Sequence, residues 1–147
     1  MPIRSLVLDS SVIAALYFPE PYSDWCEEIV AKYDELYTVD LAYAEVCNVA
    51  WKRIKLFGHP ENIVLANLDK AIEFLNNVCI VIKTFDEYTT AMDIALSVNI
   101  PIYDALFLSL SRRKSAKFAT LDKNLVNKLK GSPFKDMVLH PYTRENS

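Results

Sequence analysis

Residues 5–16 read SLVLDSSVIAAL, a stretch whose only charged residue is Asp9. Leu6, Val7 and Leu8 make a short uninterrupted apolar run of the kind that forms a strand covered on both faces, and residues 12–18 read as a helix. Asp9 therefore falls where a strand ends and a helix begins. In open parallel α/β sheets, ligands sit outside the carboxyl ends of the strands, so a carboxylate there is placed for chemistry. The ordinary occupation of an Asp or Ser at such a junction is to cap the helix by accepting a backbone N–H. The rest of the chain decides between the two.

Outward from this stretch, apolar periodicity and breaker residues divide the chain into alternating elements. A surface helix is expected over 22–33, a strand over 36–39 and a long helix over 41–57, with Asp40 as its cap and Gly58 as its stop. A further helix starts at Pro60 and carries Ile63, Leu65, Leu68, Ile72 and Leu75 at helical spacing. Then follow a strand over 78–82, helices over 86–97 and 104–113, a strand over 117–120, a helix over 122–130 and an edge strand over 137–140. Strands alternating with helices imply a three-layer α/β/α sandwich around a mostly parallel sheet of four to five strands. The 147 residues suffice for one domain, set at 1–142, with 143–147 as a flexible C-terminal tail.

Composition narrows the function classes. A hydrophobic fraction of 52% against 24% charged residues describes a well-packed domain with apolar surface to spare. A net charge of −3 argues against indiscriminate binding to duplex DNA. Cys26, Cys47 and Cys79 lie far apart in apolar surroundings without a C-x-x-C, as reduced core thiols of a cytoplasmic protein do. Two histidines, His59 and His140, give little support for a zinc site or a nucleophile with a histidine base. Two glycines exclude the Gly-rich phosphate loops. No stretch reads as a signal peptide or a membrane span.

Four carboxylates stand in apolar company. In LAYAEVCNVAW, residues 41–51, Glu45 is the only charge, and Asn48 and Lys52 continue its helical stripe; with nearly every other position apolar, this helix is expected to be buried almost all round. In IALSVNIPIYDALFLSLS, residues 94–111, the only charge is Asp104, at the start of a helix after a proline loop. FATLD, residues 118–122, ends a strand in Asp122, where a normal polar turn is the plainer reading. Lone buried carboxylates are costly, and the first three runs offer no basic residue to neutralise them. Meeting in one cleft around a divalent cation removes the cost, and ligands that are all oxygen select a hard ion, Mg²⁺ or Mn²⁺.

These four segments resemble the PIN domain family, most of all its small VapC-type toxin ribonucleases, over nearly the whole chain. The residues that carry the resemblance are Asp9 in LVLDSSVIAAL, Glu45 in YAEVCNVAWK, Asp104 in IPIYDALFLSLS, and Thr120 with Asp122 in FATLDKNL. The resemblance implies a Mg²⁺- or Mn²⁺-dependent endoribonuclease, usually a homodimer and often held inactive by a small antitoxin protein. Asp9, Glu45, Asp104 and Asp122 are its expected catalytic and metal-holding residues, with Ser11 and Thr120 supporting them. Asn124 stands where many relatives carry one more carboxylate. An acidic pocket repels RNA, so basic residues must border it: Lys52, Arg53, Arg112 and Arg113 are the candidates for phosphate contacts. The alternative within the same fold is a catalytically inactive interaction module. A haloacid dehalogenase-type phosphatase needs a second Asp two residues after the first, where Ser11 stands, and a receiver domain needs paired acids at the first strand.

Overall fold

In the computed structural model, which describes residues 2–142, Leu6, Val7 and Leu8 of β1 (Ser5–Leu8) are wholly buried, as their uninterrupted apolar run requires. The proposed tail at 143–147 lies outside the described residues. β1 is the middle of a five-stranded sheet with β2 (Glu35–Val39), β3 (Ile80–Ile82), β4 (Lys117–Ala119) and β5 (Val138–Leu139), in the order β3-β2-β1-β4-β5. Every neighbouring pair is parallel, with Val7 opposite both Tyr37 and Phe118.

Successive residues of a strand face opposite sides, and this divides the core in two. Leu6 and Leu8 pack under α1 (Ser10–Tyr17), α2 (Ser23–Ala31), α3 (Leu41–Lys55) and α4 (Glu61–Asn77). Val7, Tyr37, Val39 and Phe118 pack under α5 (Thr84–Val98), α6 (Ile102–Lys114) and α7 (Lys123–Leu129). The result is the expected three-layer α/β/α sandwich, its sheet at the upper end of the expected strand count. Among the described residues no single helix is long and apolar enough to cross a membrane.

Three expectations need correction. α3 is not buried all round: only Ala42, Val46 and Ala50 are buried, one stripe at i, i+4, i+8, while Trp51 is 52% exposed. α3 packs on α1 and α4 rather than between two layers, so its apolar composition overstates its burial. Cys47, on the outer side of α3, is exposed, whereas Cys26 is in the core. Asp40 precedes α3 but its side chain does not cap it; Oδ1 accepts from the backbone N–H of Thr84 at 3.0 Å and from its hydroxyl at 2.5 Å. β2 and β3 are neighbours, so the end of one meets the start of the helix that follows the other. Gly58 does help to end α3: its φ of 67° turns the chain so that the His59 N–H reaches the Arg53 carbonyl at 2.9 Å.

Candidate active site

β1 leads into α1 on one face of the sheet, and β4, its neighbour, leads into α7 on the other. The two connections diverge and leave a crevice at the strands' carboxyl ends, where open α/β sheets bind ligands. Asp9 follows β1 directly, and Thr120 and Asp122 follow β4. The Asp9 N–H bonds the Ala119 carbonyl at 3.0 Å, which fixes the two strand ends against each other. Thr120, wholly buried, donates its hydroxyl to Asp9 Oδ2 at 2.6 Å, and Ser11 donates to the same oxygen at 3.2 Å. Ser11 Oγ in turn accepts from the Leu121 N–H at 3.1 Å.

Position alone made capping the ordinary role for these acids, and the structure separates them. Asp9 is the N-cap residue of α1, yet its carboxylate makes no capping hydrogen bond. Asp104 lies inside the first turn of α6, which Pro101 caps. Asp122 does cap its helix, accepting from the Leu125 N–H at 3.1 Å.

Asp9, Glu45, Asp104 and Asp122 all line one cleft of about 350 Å³, with Ser10, Ser11, Asn48 and Lys52 among its other walls. Glu45 arrives from α3, and the buried Ser10 hydroxyl donates to its Oε1, so the two serines after Asp9 serve two different carboxylates. Burial, together with the Glu45 charge, pushes the Asp9 pKa up to about 6 against the opposing hydrogen bonds from Thr120 and Ser11. Burial and then the charges of Asp9, Asp122 and Glu45 push Asp104 up to about 7. These acids thus feel one another across the cleft.

The donor set fits a hard divalent cation, since its four acids offer only oxygen. Among the described residues, however, no three acid, histidine or cysteine side chains are gathered tightly enough to ligate one ion. Glu45 is turned to Ser10, and Asp122 to its own helix.

The basic residues separate too. Among the described residues Lys52 is the one cation lining the cleft. Arg53, the next residue on α3, donates to the Pro19 carbonyl at 3.0 Å and lines a different depression. Arg112 and Arg113 occupy the far end of α6 from Asp104, about 12 Å along the axis. There Arg113 pairs at 2.6 Å with Glu87, which is 2% exposed, and Arg112 lies over the Phe134 ring. Two contributors had no sequence signal of their own: Ser10, readable only as a cap, and Lys128 on α7, whose charge lowers the proton affinity of Asp104.

A family model described as the PIN domain matches residues 6–130. The chain is a PIN domain. Within the family it is closely related to the VapC-type toxin ribonucleases. This PIN domain is 35% identical over 124 residues to ribonuclease VapC3 of Pyrobaculum aerophilum, a match that covers 84% of this chain and 93% of that one. The crystal structure of PAE2754, also from Pyrobaculum aerophilum, superposes with a TM-score of 0.68 at 17% identity, covering 96% of this PIN domain and 92% of that chain. A toxin–antitoxin complex from Klebsiella pneumoniae contains a chain that superposes with a TM-score of 0.61 at 13% identity, covering 93% and 98%. At such identities the superpositions speak for the fold.

Proposed function

We propose that this PIN domain is a metal-dependent endoribonuclease that hydrolyses RNA phosphodiester bonds with Mg²⁺ or Mn²⁺, as the toxin of a toxin–antitoxin pair. One observation carries the reading. Asp9 is 8% exposed, has no ion-pair partner among the described residues, and shares its cleft with three more carboxylates. Such an arrangement costs stability unless a cation uses it. The 35% identity to a ribonuclease of the family supports the same reading.

Asp9, Glu45, Asp104 and Asp122 are the residues that would hold the ion. When bound, a divalent cation lowers the pKa of water and offsets charge on a phosphate in the transition state. Thr120 and Ser11 both bond Asp9 Oδ2, which holds the carboxylate in place. Ser10 does the same for Glu45 through Oε1. Lys52, on the wall of the cleft, offers a charge to an incoming phosphate where the acids would otherwise repel it.

The test is incubation of the purified chain with a mixed RNA pool, in Mn²⁺ or in chelator, followed by sequencing of the ends. Discrete new ends in Mn²⁺ only are expected. An inactive interaction module would yield none, and the retention of all four acids disfavours it.

Homodimerisation belongs to the same proposal. Phe85, Tyr88, Met92 and Leu96 form an exposed apolar stripe on α5, and Tyr103 at the start of α6 is exposed as well. A second copy would cover such a stripe. The apolar residues Trp51, Leu56, Phe57 and Ile63, exposed on α3, α4 and the turn between them, offer a separate surface for a small antitoxin. The three free cysteines suit action in the reducing cytoplasm. Light scattering should give twice the chain mass, and a strict monomer at high concentration removes the dimer.

A further inference from the structure

Residues 112–135 hold eight of the 16 Lys and Arg residues of the chain but only one of its 19 Asp and Glu residues, Asp122. A chain that is acidic overall therefore concentrates its positive charge around β4 and α7. Beside α7 lies a cavity of about 510 Å³ with walls from Val126, Leu129 and Val138, flanked by the exposed Lys130 and Lys135. His140 also lines it, and Asp136 is the one acid on its wall. This cavity shares no lining residue with the acid cleft.

α7 connects the two. Asp122, at its start, lines the acid cleft, while Val126, Leu129 and Lys130 line the cavity four to eight residues later. At a helical rise of 1.5 Å per residue this is about 6–12 Å, the reach of a few nucleotides of one strand. Lys128, on the same helix, lowers the proton affinity of Asp104 through its charge.

We infer that this cavity is a nucleotide subsite for the RNA substrate. Its apolar walls receive the base of a nucleotide flanking the cleaved bond, and Lys130 and Lys135 hold the adjoining phosphates. The inference rests on the reading of the acid cleft as an RNA-cleaving centre.

An acid-lined cleft contributes little to RNA affinity, so binding must come from a neighbouring surface that attracts the phosphodiester backbone. Lysines supply that attraction without sequence preference. A base splayed out of a single strand has an apolar face to bury and polar edges to satisfy. Burial, and then the Lys130 charge, lower the pKa of His140 on the cavity wall, which favours its neutral imidazole. The exposed carboxylate of Asp136 tempers the charge without cancelling two lysines.

The test measures binding of a short fluorescent single-stranded RNA of mixed sequence by anisotropy, in chelator so that nothing is cut, over a range of salt. Lys130→Ala with Lys135→Ala should weaken binding about 10-fold and flatten the slope of log affinity against log salt by about 1.4, two contacts at about 0.7 each. Lys32→Ala with Lys70→Ala, an equal change of charge elsewhere on the surface, should leave both unchanged. Inorganic polyphosphate, which has no bases, should compete less well than unlabelled RNA of the same charge. In Mn²⁺ at saturating RNA, the Lys130/Lys135 variant should cleave at the parent rate with a raised KM. Parent-like affinity in that variant, or equal competition by polyphosphate, overturns the subsite; if the parent still cleaves, the reading of the acid cleft survives. A parent that neither binds nor cleaves RNA overturns both.

Discussion

Thr120 Oγ1 donates a 2.6 Å hydrogen bond to Asp9 Oδ2, joining the ends of β4 and β1 across 111 positions of sequence. The same hydroxyl accepts from the Asp122 N–H at 3.0 Å, so one buried side chain sets the placement of two carboxylates. Thr120→Val keeps the shape and removes both interactions. It should cost about 1–3 kcal/mol, read as a lower urea midpoint, because the Asp9 oxygen and the Asp122 N–H lose a buried partner. Metal-dependent cleavage should fall about 10–100-fold, the usual effect of losing a group that orients a ligand. Thr120→Ser should keep most of both.

How much of this was legible in the sequence differs from element to element. β1 and Asp9 were readable because an apolar run that stops at a carboxylate before a helix has few other solutions. Asp104 was readable because it is the one charge in 18 residues. The outer side of α3 was not, because a row of apolar residues looks the same whether a second layer covers it or water does; only tertiary placement leaves Trp51 half exposed. The pairing of Arg113, a candidate phosphate contact, with Glu87 was not readable either, because Glu87 lies 26 positions earlier on another helix. The division of Ser10 and Ser11 between Glu45 and Asp9 depends on where α3 crosses α1, which no local pattern records.

The raised pKa values of Asp9 and Asp104 predict an unusual pH dependence for the metal-free protein. Their folded values, about 6 and about 7, stand above the ordinary 3.8, so between about pH 4 and those values the folded state holds protons that the unfolded state releases. Their contribution to stability is complete below about pH 4 and is lost as pH rises through 6–7. In chelator, therefore, the melting temperature should fall from pH 5 to pH 8, and Mn²⁺ should restore it at pH 8. Asp104→Asn should flatten the chelator profile and melt about 3 °C above the parent at pH 8, a modest gain because Asp104 is only partly buried. A chelator profile that rises with pH contradicts the electrostatics of the cleft.

Arg113 and Glu87 provide a contrast, a charge pair remote from the cleft. Glu87 accepts from the Ser109 hydroxyl at 2.8 Å as well as from Arg113, tying α5 to α6. Arg113→Ala leaves a buried carboxylate without its cation and should cost about 2–3 kcal/mol, below the usual range for a buried pair because Arg113 is 48% exposed. Cleavage per folded molecule should not change. A loss of RNA affinity at full stability would place Arg113 on the substrate-binding surface.

Whether Asp9 serves the reaction or the fold is decided by Asp9→Asn, assayed for RNA cleavage in Mn²⁺ and for thermal melting in chelator. Asn keeps the size of the side chain and an oxygen for Thr120 while removing the charge. No metal-dependent cleavage above background is expected, with a melting temperature equal to or above that of the parent. Parent-like cleavage, or a metal-free variant that melts well below the parent, would show that Asp9 serves the fold rather than the reaction.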